Sequence, residues 1–186
     1  MDISYRAAHT ERDFEQLLSL QRKNHYTTIS RETQDKEGFV YAEHTIGLLK
    51  EMSAHAPQII AMVGDQLVGY TLAMTPDMKE AVPSLTPMFG QFGQCFYKGK
   101  PLDSYPFIVG GQVCVAEGFR GIGIFPGLYH ALAAHTGNRF RLCVTEIAQR
   151  NQRSLRAHQK IGFEVIQTYS DSDETWDIVA WEMTNN

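Results

Sequence analysis

Residues 112–163 constrain the fold more than any other part of this chain. The stretch opens on an apolar run, Gln112-Val113-Cys114-Val115, and turns through Glu117-Gly118-Phe119-Arg120-Gly121-Ile122-Gly123-Ile124. A helical segment follows, then a second apolar run from Leu142 to Ala148, and the stretch closes on a polar helix that ends at Gly162-Phe163. Strand, glycine-rich turn, helix, strand, helix is the order in which an open α/β sheet builds an anion site at a strand's carboxyl end. A helix starting near Pro126, a residue favoured in the first helical turn, leaves the amides of Arg120-Gly121-Ile122-Gly123 without helical partners. Such amides form a positive cradle for phosphate oxygens, and the glycines keep side chains out of it. Taken alone, the pattern is equally well a tight turn that binds nothing.

The second half of the stretch narrows the choice. On a helix beginning at Asn151, the residues Asn151, Ser154, Leu155, His158 and Ile161 share one face, and Gln152, Arg153, Arg156, Gln159 and Lys160 take the other. The inward stripe therefore carries an Asn, a Ser and a His among apolar positions. Asn151 also reads as a plain N-cap and His158 as a hydrogen-bonded core histidine. Gly162 supplies a left-handed helix stop, and Phe163 ties that end to the core.

The remainder supplies flanking elements. Ile3 to Ala7 reads as a short strand, and Thr10 as an N-cap with Asp13 three residues on, followed by Phe14, Leu17, Leu18 and Gln21 at helical spacing. Asn24 to Gly38 is polar, without a period, and reads as irregular. Thr45 to Ala54 is helical, with Ile46, Leu49 and Met52 on one side. Gln58 to Val63 and Gln66 to Met74 flank the hairpin signal Gly64-Asp65. Glu164 to Tyr169 and Thr175 to Met183 are strands around the turn Ser170-Asp171-Ser172-Asp173. Between Thr75 and Phe107, prolines at 76, 83, 87, 101 and 106 break regular structure, although Leu85, Met88, Phe89, Phe92 and Phe96 keep a helical spacing. This insertion, at about residues 76–107, reads either as a lid over a pocket or as a packing excursion or oligomer contact.

Composition excludes several classes. A net charge of −4 gives no basic face for nucleic acid. No run is long enough to span a bilayer, and the amino terminus lacks an apolar signal region. Cys95, Cys114 and Cys143 have no metal-ligand spacing, and two of them sit in apolar runs as small core residues. A reducing compartment, the cytosol, is expected, with no metal and no membrane.

Val113-Cys114-Val115, Arg120-Gly121-Ile122-Gly123, Glu146, Asn151, Ser154, His158 and Gly162-Phe163 together resemble the GNAT superfamily of acyl-CoA-dependent N-acyltransferases. The motif match covers roughly residues 112 to 164, and the element order extends the resemblance over most of the chain. It implies an α/β (α+β) fold: one domain over residues 1–186, with a central mixed sheet of about seven strands flanked by helices. The implied donor is acetyl-CoA. Val113, Cys114 and Val115 would pair with the pantetheine arm. Arg120, Gly121, Ile122, Gly123, Ile124 and Phe125 would sit at the diphosphate, and Asn151 and Ser154 would border the arm. Glu146 stands where several members have a general base, though it reads equally as a strand-end glutamate paired to an arginine. His158 stands where the family usually has a tyrosine donating to the leaving sulfur, a role that requires a raised imidazole pKa. Phe125 replaces a Gly or Ala, so its ring is expected to point outward or toward the acceptor. The implied activity is acetyl transfer to a primary amine, whether small molecule, lysine or protein N-terminus, with a homodimer left open. The alternative is an acyl-CoA-binding sensor of the same fold that turns nothing over.

Overall fold

Local chemistry sets the amino-terminal elements in the computed structural model, which describes residues 1–183. Strand β1 (Ser4–Ala7) leads into helix α1 (Glu11–Asn24), whose N-cap Thr10 accepts from the Asp13 amide while the Asp13 carboxylate accepts from the Thr10 amide. Arg6 of β1 donates to both oxygens of that carboxylate, at 2.8 and 2.7 Å, and holds its pKa far below the usual range. The cap of the helix is thereby fixed to the strand before it. Phe14, Leu17, Leu18 and Gln21 are buried, as their spacing predicts.

Helices α2 (Arg31–Glu37) and α3 (Ile46–His55) precede the hairpin β2 (Ile59–Val63) and β3 (Gln66–Met74). The connection after β3 holds 3₁₀ turns, helix α4 (Thr86–Gln91) and a two-stranded ribbon, β4 (Phe96–Tyr97) with β5 (Lys100–Pro101). Then come β6 (Phe107–Val115), α5 (Ile124–Thr136), β7 (Leu142–Ala148), α6 (Gln152–Ile161), β8 (Glu164–Ser170) and β9 (Thr175–Glu182). The seven-stranded sheet runs β1-β2-β3-β6-β7-β9-β8, antiparallel except for β6 beside β7. This is the mixed α/β sheet expected from the sequence.

Two apolar layers sandwich the sheet. Leu17, Leu49, Met52, Tyr70, Leu72 and Val144 build one with α1, α3 and the long connection. Ile59, Ile108, Leu128, Leu132, Leu155 and Phe163 build the other with α5 and α6. What positions the site is a defect in the sheet. Leu72 pairs with Gln112 but Ala73 pairs with Gly110, leaving Gly111 as an extra residue that bends β6. Consequently β6 meets β7 only where Phe107–Val109 face Leu142–Val144. Beyond that point the two parallel strands separate, and the β7-facing edge of β6 carries backbone groups with no strand to bond.

Three boundaries differ from the sequence reading. The strand expected at Gln112–Val115 begins at Phe107, because Phe107, Ile108 and Val109 fill the sheet's centre despite following a proline-rich segment. Helix α5 starts at Ile124, two residues before Pro126, which still lies in the first turn where no amide is needed. The segment taken as irregular holds α2, a helix whose one buried side chain, Gln34, gives no apolar period to read.

Candidate active site

The turn before α5 carries the geometry an anion needs. Gly121 and Gly123 lie in the left-handed region, at φ 80° and 91°, which coils the chain so that its amides open into the cleft. Gly123 caps α5 without a side-chain bond. Among the described residues, the amides of residues 121–125 have no main-chain acceptor, and the first helical return bond is from Gly127 to Gly123 at 3.1 Å. The side chains around them divide. Ile122 is exposed and Ile124 is core, so these two offer only their amides.

A cavity of about 540 Å³ lies over this turn, within the range of small-molecule sites. It runs between the free edge of β6 at Val113, Cys114 and Val115 and the face of α6 carrying Asn151 and Ser154. Arg156 and Lys160 line it and make no ion pair among the described residues. Arg120 differs: its guanidinium donates to Val115 O at 3.0 Å, Glu37 Oε2 at 2.8 Å and Asn24 Oδ1 at 2.7 Å. Glu37 also accepts from Arg153 at 2.7 Å, so α2 ties the two cavity walls together. Of the arginines that crowd the sequence here, Arg139 and Arg141 are spent elsewhere, on His55 O and Glu182, and Arg150 pairs with Glu174.

Asn151 caps α6 by accepting from the Ser154 amide at 3.2 Å, and its Nδ2 donates to Phe39 O at 3.3 Å. Both ends of this amide are bonded within the protein, and the plain N-cap reading applies.

Of the two sequence readings of His158, its surroundings match the hydrogen-bonded core histidine. A carbonyl can only accept, so Nδ1 donates to Ser154 O at 2.8 Å and Nε2 accepts from the Tyr129 hydroxyl at 2.7 Å. Burial pushes its pKa down to about 4 against the opposing Ser154 bond, the reverse of the raised value a proton donor requires. Phe125 lies beside it. The ring is half-buried, lines the large cavity, and packs edge-on against His158 at 4.9 Å and Tyr129 at 5.4 Å. Phe163 completes this aromatic group, 4.9 Å from His158.

The large cavity shares Val113, Asn151 and Ser154 with a smaller one that is lined by Glu146. Glu146 is half-buried on β7, pairs with no arginine, and accepts from the Tyr169 hydroxyl at 2.5 Å. Burial raises its pKa to about 7, opposed by the Tyr169 bond and assisted by Asp171. A carboxyl poised there exchanges a proton near neutral pH. Glu117, the other carboxylate of the motif, is exposed.

The sequence places an acceptor pocket between Asn24 to Gly38, the Thr75 to Phe107 insertion and the Tyr169 to Trp181 hairpin. Leu85 and Met88 of the insertion and Trp176 of the hairpin line the small cavity, whereas Tyr41 falls outside those segments. Tyr41 and Trp176 line the small cavity and meet edge-on at 5.4 Å, although they come from a loop and from β9. Gln112 lines it too, accepting from Tyr70 and Gln21 and donating to Ala42 O at 2.8 Å. Tyr169 belongs to that hairpin, but its bond to Glu146, 23 positions away, is not legible locally.

No family model and no curated protein matches the chain. Solved structures do match over its whole length. An N-acetyltransferase from Staphylococcus aureus Mu50 is 16% identical with a TM-score of 0.63, covering 99% of this chain and 100% of its own. NAA60 of Arabidopsis thaliana in complex with acetyl-CoA is 13% identical at 0.64, covering 97% and 99%. The NatC complex bound to Gag peptide and CoA is 14% identical at 0.64, covering 99% and 100%. The chain has the fold of the GNAT N-acetyltransferases.

Proposed function

We propose that the protein transfers an acetyl group from acetyl-CoA to a primary amine by direct attack on the thioester. One observation carries the reading: two neighbouring cavities that share Val113, Asn151 and Ser154 bring together unpaired amides at α5, the free edge of β6, and a carboxyl whose pKa lies at about 7. The amides of residues 121–125 would hold the diphosphate, with Arg156 and Lys160 placed for further phosphate. The pantetheine arm would lie along Val113 to Val115 as an added strand, ending where an amide of β6 can bond the thioester oxygen.

An alkyl ammonium has a pKa of about 10 and is not nucleophilic at neutral pH. Glu146 takes its proton, the neutral amine attacks, the carbon–sulfur bond breaks with the electron pair leaving on sulfur, and the new amide nitrogen gives its second proton to solvent. A thiol with a pKa of about 8.5 leaves without an acid, so solvent protonates the thiolate and His158 keeps its neutral, structural place. Acceptors of the class are small amines, lysine side chains or protein N-termini.

The test combines binding with turnover. Acetyl-CoA should raise the melting temperature, and a panel of primary amines should include some that accelerate free-thiol release. Tight CoA binding with no amine response would instead support a sensor, and no binding would remove both readings. Glu146→Gln should lower kcat by about 100-fold or more while leaving the CoA Kd nearly unchanged.

A further inference from the structure

The small cavity beyond Val113 has a volume of about 90 Å³. On the sheet side it is walled by Gly110, Gly111, Thr145 and Glu146. Its far wall comes from the proline-rich connection: Leu85, 7% exposed, and Met88, 1% exposed. These two are not a loose flap. They belong to the same buried cluster as Phe92 and Phe107, which meet edge-on at 5.4 Å. Well-packed interiors give way little, so the wall holds its place when the cleft is occupied.

Volume then decides what fits. A cavity of about 150 Å³ holds benzene, or about 25 Å³ for each heavy atom. On that scale about 90 Å³ accepts three or four heavy atoms. An acetyl group has three and a butyryl group five. A pantetheine arm running along β6 from Val115 to Val113 delivers its acyl group at Gly111 and Gly110, inside this chamber.

Resting on the acyltransferase reading above, we propose that Leu85 and Met88 are the specificity-determining residues for the donor, restricting it to an acyl group of two or three carbons. The connection between β3 and β6 thereby acts as a ruler for chain length. The acceptor amine approaches from the other side, past Tyr41 and Trp176.

Binding alone tests this, without knowledge of the acceptor. Calorimetry with CoA, acetyl-CoA, propionyl-CoA and butyryl-CoA should give wild type similar affinity for the first three and at least about tenfold weaker affinity for butyryl-CoA, whose fifth heavy atom meets the wall of Leu85 and Met88. Met88→Ala should restore butyryl-CoA to within about threefold of acetyl-CoA, and Leu85→Ala should do so in part. The proposal is overturned if wild type binds all four alike, or if both variants bind CoA normally and still reject butyryl-CoA. Should Met88→Ala not fold, the wild-type series and Leu85→Ala still decide. Loss of affinity for CoA itself in wild type would instead remove the acyltransferase reading on which this rests.

Discussion

Glu146 and Tyr169 form one acid–base unit. The phenol donates to the carboxylate, which favours the charged form against the burial that disfavours it. A base must be unprotonated, so kcat/KM should climb with pH through about 7. Tyr169→Phe removes the bond and leaves burial unopposed. The acid limb of the pH–rate profile should then move to higher pH, with CoA affinity unchanged; an unmoved limb would mean that Glu146 is not the titrating group. His158 makes a contrasting case. In His158→Phe the fully buried Tyr129 hydroxyl loses its acceptor, at a cost of about 1–3 kcal/mol in urea unfolding. Cofactor affinity should barely change. A variant of normal stability that loses CoA would make His158 a ligand instead.

At the scale of elements, the turn before α5 and the bend in β6 do the positioning. At Gly123, φ of 91° is a conformation that a side chain makes costly, by about 1–2 kcal/mol. No atom lies within 4 Å of a Cβ built there, so any harm comes from backbone strain and from a methyl projecting beside the amides. Gly123→Ala should therefore weaken CoA binding by about tenfold, whereas Gly118→Ala, at an ordinary φ, should leave it intact. Equal behaviour of the two would show that these amides do not carry the anion. Strand β6 supplies the other half. Its bulge at Gly111 opens the sheet at the point where Glu146 waits on β7.

Across the whole molecule, His44, His158 and Glu146 shape stability between about pH 7 and 4. His44 and His158 are both held neutral, with pKa values pushed to about 4 by burial. The unfolded chain protonates them below about 6.5, the folded one only near 4, so folding loses support as pH falls through that window. Glu146 works in reverse. Its folded value of about 7 lies above the unfolded one, so its penalty is full above pH 7 and fades as pH drops. Between about pH 6.5 and 4.5 two histidines oppose one carboxyl, a net loss of roughly 1.4 kcal/mol per pH unit. Urea midpoints measured from pH 7 to 5 should fall accordingly, and Glu146→Gln should steepen the fall. A flat profile would place these histidines in contact with water.

The order of elements, the glycine turn before α5 and the position of Glu146 follow from residues close together in the chain. A strand–glycine–helix junction and a capped helix are local objects with local causes. Single positions proved less legible where a side chain's partner is far along the chain. The spacing puts His158 on the inward face, but only packing delivers Tyr129, Phe125 and Phe163 around it and holds it neutral. Helix α2 was invisible because its reason to fold is Glu37 reaching Arg120 and Arg153, more than 80 residues away. The same holds for the wall of Leu85 and Met88. A sequence shows apolar residues between prolines, but which surface they close depends on where the folded sheet puts its opening.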